Sequence, residues 1–266
     1  MLANFHTHTI FCDGNDTPEE MVLAAIEKGF SALGFSGHAY TDFDTSYCIK
    51  DMDGYISAVN KLKEKYKEKI EILLGVEEDA FCPSNRNKYD YIIGSCHYVK
   101  IDKKYYPVDS SHKQLKEPLK LLNDDPVLFA QNYYSNFCDY IEKRKPDIIG
   151  HFDLITKYDE KEMPIFLNNT AYNKVAEDYI KKAATSNCIF EVNTGAIARG
   201  YRSMPYPSEN LLYILKKENA KIIISSDCHD KNKLDWYFEE TKLKLKDIGF
   251  KEMMTIQNGK FTTVKI

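Results

Sequence analysis

Short apolar runs alternate with longer amphipathic segments along the whole chain of 266 residues. This alternation is typical of β-strands connected by helices around a parallel sheet. The apolar runs predict seven strands, at residues 3–7, 32–36, 71–76, 91–95, 148–150, 189–192 and 221–225. We therefore expect an α/β protein in which strands and helices follow one another in turn.

The segments between these runs have the spacing of helices with one apolar face. Thr17 can cap the first helix, Pro18 suits its first turn, and apolar residues follow at helical spacing until Gly29. A second apolar stripe extends from Tyr55 to Tyr66. Further helices are predicted at residues 129–144, 171–186, 208–218 and 233–248, and a last pair of strands at 253–256 and 261–264.

Two segments do not follow the alternation. Residues 99–128 are polar, aromatic and contain several prolines, and we expect a long insertion loop of the kind that covers or lines a binding site. Residues 194–207 are the other exception. Because neither segment has the composition of a linker, we expect residues 1–266 to form a single domain.

The composition excludes several classes of protein. The chain has 36 Lys and Arg against 40 Asp and Glu, with both signs mixed, so it lacks the basic surface of a nucleic-acid-binding protein. It has no basic and apolar leader and no apolar run of membrane-spanning length, which predicts a cytoplasmic protein that does not bind membranes. Its seven cysteines form no CxxC motif and are expected to be reduced.

Most of the histidines occupy one kind of position, at or just after the end of a predicted strand. A single histidine there is more often an ordinary core or loop residue. Several together favour a shared site, because the C-terminal ends of parallel strands converge on one face of a barrel. The residues are His6, His8, His38, His97, His151 and His229.

Carboxylates occur at the same strand ends, namely Asp13, Glu77, Glu78 and Asp227. Alternate residues of a strand point the same way, so His6 and His8 can hold one ion together, and Asp227 has the same relation to His229. Imidazoles and carboxylates without a cysteine pattern suit zinc, manganese or iron better than calcium or magnesium. The sequence therefore predicts a metal site at the strand ends.

Six short motifs carry a resemblance to a known family. FHTHTIFCDG at 5–14, SGHA at 36–39, LLGVEED at 73–79, IGSCHYV at 93–99, IGHFDLI at 149–155 and SSDCHD at 225–230 resemble, in order and spacing, those of the PHP (polymerase and histidinol phosphatase) superfamily. The length and the stretch KPDIIGHFDLITKYD look most like its monofunctional L-histidinol-phosphate phosphatases. The resemblance implies a distorted, TIM-like (β/α)7 barrel with its metal site at the C-terminal ends of the strands.

The resemblance also implies three divalent metal ions, zinc, manganese or iron. Their ligands would be His6, His8, Glu77 and Asp227 for one ion, Glu77, His97 and His151 for a second, and Asp13, His38 and His229 for a third. Glu78 would point away from the ions. Asp227, His229 and Arg199 are expected to act in catalysis.

Three divalent ions carry more positive charge than three carboxylates neutralise, which leaves a cationic pocket for phosphate. Metal-activated hydroxide would attack phosphorus in line, and the alcohol would leave on the far side. Arg199, one of only four arginines, and Lys157 are candidates to bind the phosphate oxygens, although both could be solvated loop residues. His112 is expected to be an ordinary surface residue, the alternative being a proton donor that reaches the substrate or the leaving oxygen.

The function expected from this resemblance is hydrolysis of L-histidinol phosphate, a small phosphorylated metabolite. The alternatives are a phosphoesterase for another small phosphomonoester, a nucleotide or a nucleic-acid 3′ end, and a non-catalytic metal-binding module. The complete ligand set weighs against the last. Oligomeric state stays open. Neighbours for the substrate's ammonium and imidazole are suggested by position alone: Tyr40, Asp42, Asp44, Tyr105, Tyr106 and Asp109.

Overall fold

Parallel strands form the centre of the fold in a computed structural model that describes residues 1–162 and 164–266. The strands in chain order are β1 (Ala3–Asn4), β2 (Ala32–Phe35), β3 (Glu71–Asp79), β4 (Tyr91–Ser95), β5 (Tyr98–Ile101), β6 (Lys104–Pro107), β7 (Ile148–Ile149), β8 (Ile189–Asn193), β9 (Ile222–Ser225), β10 (Glu252–Gln257) and β11 (Lys260–Lys265). Seven of them make one parallel sheet in the order β1-β2-β3-β4-β7-β8-β9, and these seven are the strands predicted from the apolar runs.

The two edges of this sheet meet just beyond the ends of β1 and β9. The backbone N–H of His8 donates to the carbonyl of Cys228 at 2.8 Å, and the N–H of Cys228 donates to the carbonyl of His6 at 3.0 Å. These bonds bring the sheet to a nearly closed barrel. The expected distorted (β/α)7 fold is confirmed, and the strand ends that carry the histidines do converge.

Helices cover the outside of the barrel. They are α1 (Pro18–Glu27), α2 (Met52–Tyr66), α3 (His112–Leu121), α4 (Pro126–Arg144), α5 (Thr170–Ala184), α6 (Gly195–Ala198), α7 (Glu209–Lys217) and α8 (Phe238–Ile248). Thr17 and Glu20 form a reciprocal capping box at the start of α1, as the sequence suggests. The connection from β3 to β4 contains only a short 3₁₀ turn, Arg86–Lys88, which is one source of the distortion. No helix in the described ranges is both long and apolar enough to cross a membrane.

The prediction of a long loop at residues 99–128 was wrong. This segment contains the β5–β6 hairpin, which turns at Asp102 with a positive φ of 55°, then α3 and the first turn of α4. Its prolines suggested a loop, but Pro126 occupies the first turn of α4 behind the cap Asp125, where proline is favourable. The insertion between β4 and β7 is therefore folded.

The far end of the barrel is apolar and closed. Alternate strand residues, among them Phe5, Leu73 and Ile223, pack inward there against Ile256 of the antiparallel β10–β11 ribbon. Tyr91 also fills the interior, and a Cβ at Gly75 would lie 2.3 Å from its ring, so this position requires glycine. With one end filled by side chains, the polar groups of the barrel are confined to the other end.

Candidate metal centre

The C-terminal ends of the strands bring all nine predicted ligand residues together. His6 and His8 follow β1, His38 follows β2, Glu77 lies in β3, His97 follows β4 and His151 follows β7, while Asp227 and His229 follow β9. Asp13 comes from the turn after β1 and is about a third exposed, at 36%. Apart from Asp13 and His229, these residues are buried. The barrel thus assembles residues that lie more than two hundred positions apart in the sequence.

Glu77 lies at the middle of the cluster and contacts five imidazoles, among them that of His8, whose Nε2 lies 3.5 Å from Oε2. Its Oε1 lies 2.9 Å from Nε2 of His151 and 3.3 Å from Nε2 of His97. Its Oε2 lies 3.0 Å from Nδ1 of His38 and 3.2 Å from Nε2 of His6. The Glu77 side chain is fully buried. A single carboxylate therefore links residues from four strands.

Two further groups adjoin Glu77. Asp227 Oδ1 lies 3.2 Å from Nε2 of His8 and 3.6 Å from Nε2 of His6. Asp13 Oδ2 lies 3.3 Å from Nε2 of His229 and 3.6 Å from Nε2 of His38. His38 thus faces Glu77 with one nitrogen and Asp13 with the other. The donor atoms form overlapping groups, each compact enough to surround one ion.

Strand geometry explains why these side chains point inward. The residues between the paired ligands turn the other way: Thr7 donates its hydroxyl to the carbonyl of Gly34, and Cys228 packs into the apolar cluster under α1 and α2. Glu78, next to Glu77, also points away, as expected. Its Oε1 accepts from Nε of Arg144 and from the hydroxyl of Tyr140, both at 2.6 Å.

Arg199 and Lys157 both lie at the site. Arg199 donates from Nη2 to Oδ2 of Asp227 at 2.8 Å and from Nη1 to its backbone carbonyl at 2.9 Å. Lys157 donates from Nζ to the carbonyl of Asp109 at 2.8 Å. Both line a cavity of about 190 Å³ that opens onto the ligand cluster. The expectation for His112 was wrong, because it begins α3 and is buried at 9% exposure.

Two buried acids beside the cluster were missed from the sequence. Glu191 contacts Nδ1 of His6 and accepts the backbone N–H of His151 at 2.8 Å. Asp79 lies 3.3 Å from Nδ1 of His97. The sequence contained a signal for each acid. A glutamate interrupts the apolar run of β8, and another acid lies two residues after Glu77. Both acids fix the orientation of imidazoles in the cluster.

The comparisons with known proteins agree with this geometry. The family model described as PHP domain matches residues 4–195, well over half of the chain. The chain belongs to the PHP domain family. This confirms the resemblance seen in its six motifs.

Curated relatives match this PHP chain over most of its length. A Schizosaccharomyces pombe protein named "Probable histidinol-phosphatase" is 27% identical over 97% of this chain and 90% of its own. Histidinol-phosphatase of Bacillus subtilis is 24% identical over 88% of this chain and 96% of its own. A crystal structure of histidinol phosphate phosphatase from Lactococcus lactis, complexed with zinc, L-histidinol and phosphate, has a TM-score of 0.74 at 20% identity and covers 98% of each chain. This last likeness establishes the shared PHP fold.

The electrostatics of the PHP site favour ionised carboxylates and at least one neutral imidazole. Burial raises the pKa of Glu77, but His6, His38 and His97 outweigh this effect and hold it well below its ordinary value. Burial, together with His229 and His38, lowers the pKa of His8 to about 3. Burial lowers the pKa of His6, His38 and His97, but the acids around them outweigh this effect and raise the pKa, to about 10 for His97. Metal ions would therefore displace protons from these three imidazoles on binding.

Proposed function

We propose that this chain is a metal-dependent phosphomonoesterase that hydrolyses L-histidinol phosphate to L-histidinol and phosphate. The observation that carries the proposal is the convergence of six imidazoles and three carboxylates in one cluster beside a cavity that Arg199 and Lys157 line. The names of the curated relatives supply the substrate. Their alignment over nearly the whole chain supports the same activity here.

The side chains fit divalent metal ions. Nε2 of His6, Nε2 of His8 and Oε2 of Glu77 are buried and have no hydrogen-bond partner within the described part of the chain. Leaving such atoms unpaired is unfavourable, and ions between them would satisfy all three. The donors are nitrogen and oxygen without thiolate, which suits zinc, manganese or iron.

We assign three ions to this cluster, with Glu77 shared between the first two. The proposed ligand sets are His6, His8, Glu77 and Asp227; Glu77, His97 and His151; and Asp13, His38 and His229. In the last set His38 uses Nε2, which lies 3.6 Å from Oδ2 of Asp13. When bound, such ions lower the pKa of water towards neutrality and neutralise phosphate oxygens, so that hydroxide can attack phosphorus.

The chain's own cations then hold the phosphate in the cavity. Arg199 is fixed by its two bonds to Asp227, and its Nη1 also lies 3.1 Å from Nδ1 of His229. Its Nε and Nη2 carry the N–H groups that we assign to a planar, two-oxygen contact with phosphate. Lys157, which lines the same cavity, adds a second charge. Asp227 and His229 flank Arg199, and we propose that all three act at the reacting phosphate. Arg199 thus has two tasks, positioning Asp227 and binding substrate.

Phosphate release across a panel of substrates tests this proposal. The panel holds L-histidinol phosphate, nucleoside monophosphates, sugar phosphates and a short single-stranded DNA, each with metal-loaded protein. We expect a clear preference for L-histidinol phosphate. Equal rates on all small phosphomonoesters, or a preference for the DNA, would refute the assigned substrate. Full activity after chelation, with fewer than about two bound ions per chain, would refute the metal-dependent chemistry.

Substitutions at Arg199 and His8 separate phosphate binding from metal binding. Arg199→Ala is expected to lower kcat/KM by about 100-fold while metal-saturated protein keeps its ions, because phosphate loses a two-oxygen contact. His8→Ala should lose both metal and activity. If Arg199→Ala lost metal and retained normal kcat/KM at metal saturation, its role would be confined to positioning Asp227.

A further inference from the structure

Asp109 lies in the wall of the cavity beside the metal centre. It lies two residues after the end of β6, and the N–H of the intervening Val108 donates to the carbonyl of His97 at 2.9 Å. The carbonyl of Asp109 accepts from Nζ of Lys157 at 2.8 Å and from the hydroxyl of Tyr158 at 2.6 Å. These bonds fix the backbone of Asp109 between the β4 and β7 sides of the site.

The carboxylate of Asp109 is incompletely paired. Its Oδ2 lies 3.3 Å from Nζ of Lys157, and its Oδ1 accepts no hydrogen bond from the residues that the structure describes. The side chain is 27% exposed. Burial raises the pKa of Asp109, but Lys157, with smaller contributions from His97 and His151, lowers it overall. An ionised carboxylate with a free oxygen therefore borders a cavity that is otherwise built for an anion.

Such a negative charge is unfavourable for binding phosphate unless the substrate also carries a cation. In L-histidinol phosphate the ammonium is on the carbon next to the one that bears the ester oxygen. When the phosphate lies against the metal ligands, this ammonium must lie in the same small cavity. There it loses water and needs an anionic partner.

We propose that Asp109 binds the ammonium group of the substrate and so selects phosphomonoesters of vicinal amino alcohols. This inference rests on the proposed function. Lys157 and Asp109 then form a pair of charges opposite in sign to the phosphate and ammonium of the substrate. When a substrate lacks the ammonium, the Asp109 carboxylate faces only the phosphate of that substrate. Repulsion between these two negative charges then weakens binding.

The other acids suggested by sequence position do not reach the cavity. Asp42 is exposed in the segment after His38. Asp44 is occupied by Ser46 and by the hydroxyl of Tyr98, which donates to it at 2.8 Å. Of the three candidate aspartates, the cavity wall contains Asp109.

Two substrates that differ only in the ammonium group test this inference. They are L-histidinol phosphate and its analogue without the amino group, assayed with wild type, Asp109→Asn, Asp109→Glu and Asp42→Asn. For Asp109→Asn we expect kcat/KM on the amino substrate to fall about 10- to 100-fold, the loss of one charged hydrogen bond. Its kcat/KM on the analogue should stay unchanged or rise. Asp109→Glu should restore part of the preference, and Asp42→Asn should match wild type.

Metal content and thermal unfolding of each variant show whether the fold and the cluster are intact. A second variant, Lys157→Met, removes a phosphate cation together with one bond to the Asp109 carbonyl, so it should weaken both substrates and reduce the preference for the amino substrate less than Asp109→Asn does. Equal losses on both substrates in Asp109→Asn, or no change on either, would overturn the inference while leaving the proposed function standing. A metal-loaded wild type that hydrolysed neither substrate would overturn the proposed function and the inference with it.

Discussion

The two faces of β3 present neighbouring glutamates to opposite surroundings. Glu77 faces the barrel mouth, where Nε2 of His6 and Nδ1 of His38 lie within 3.2 Å of its Oε2. Glu78 faces α4, where Arg144 donates from Nε at 2.6 Å and from Nη2 at 2.9 Å. Both carboxylates are fully buried. Burial alone therefore does not distinguish a functional acid from a structural one.

The difference lies in how each charge is balanced. Glu78 has a guanidinium beside it, a hydroxyl from Tyr140 and the backbone N–H of Ser84 at 2.8 Å. Glu77 contacts only imidazoles, and its Oε2 lacks a hydrogen-bond partner in the described ranges. A buried carboxylate that is paired with a cation of the chain has a structural role, because breaking the pair destabilises the fold. A buried carboxylate that contacts only imidazoles is suited to bind an added metal cation.

The strongest test of this comparison removes the negative charge of Glu77, which faces the mouth of the barrel. Glu77→Gln is expected to lose bound metal and to lower kcat/KM by roughly 10³-fold, because one side chain contributes to two proposed ion sites. Metal analysis and phosphate release measure the two effects. Retention of the full wild-type metal content would contradict the central place given to Glu77.

The matching change, at Arg144 of α4, should lower the stability of the fold. Arg144→Met leaves Glu78 buried without its cation, and we expect about 3 kcal/mol of destabilisation in denaturant unfolding. The folded variant should keep its metal ions. The double variant Glu78→Gln with Arg144→Met should recover part of the loss, since no buried charge then remains. A metal loss in Arg144→Met comparable to that of Glu77→Gln would remove the distinction between the two faces.

A smaller loss of metal affinity and activity is expected from substitution of Glu191, which contacts His6 and the backbone of His151 and is not one of the proposed ligands. Glu191→Gln should weaken metal affinity about 10- to 100-fold and retain most activity at saturating metal, because imidazole orientation is loosened. Competition with a coloured chelator measures the affinity. The exposed Glu218→Gln serves as control. An unchanged affinity would show that Glu191 has only a packing role.

Much of the fold could be predicted because its signals are local. Each buried strand is a short apolar run, and six of the seven histidines lie at or just after the end of one, so chain order already implies convergence at one end of a barrel. The hairpin of β5 and β6 escaped prediction because each strand has only four residues, and β6, with Lys104 exposed and Tyr105 half-buried, has no apolar face. Such a ribbon lacks the alternation that identifies a strand with one apolar face.

The acids around the cluster were harder to predict than its central residues. Glu191 lies 185 positions from His6, and its strand reads as an apolar run with one interruption. Only the closed barrel shows that the interruption points inward. Asp109 was one of several acids available by position, and the hydrogen bond from Val108 to His97 distinguishes it. Contacts between distant strands carry this information, and spacing along the chain does not.

The smallest change that tests the comparison is the loss of one hydroxyl beside Glu78. Tyr140 donates to Oε1 of Glu78 at 2.6 Å within the core, and Tyr66 donates to Oε1 of Glu19 at 2.7 Å on the surface. Because the first acceptor has no access to water, Tyr140→Phe should cost about 1.5 kcal/mol of unfolding free energy, with metal content and kcat/KM unchanged. Tyr66→Phe should cost less, since water replaces the lost donor. Equal losses would mean that burial does not strengthen the bonds that hold Glu78, and the contrast with Glu77 would then rest on Arg144 alone.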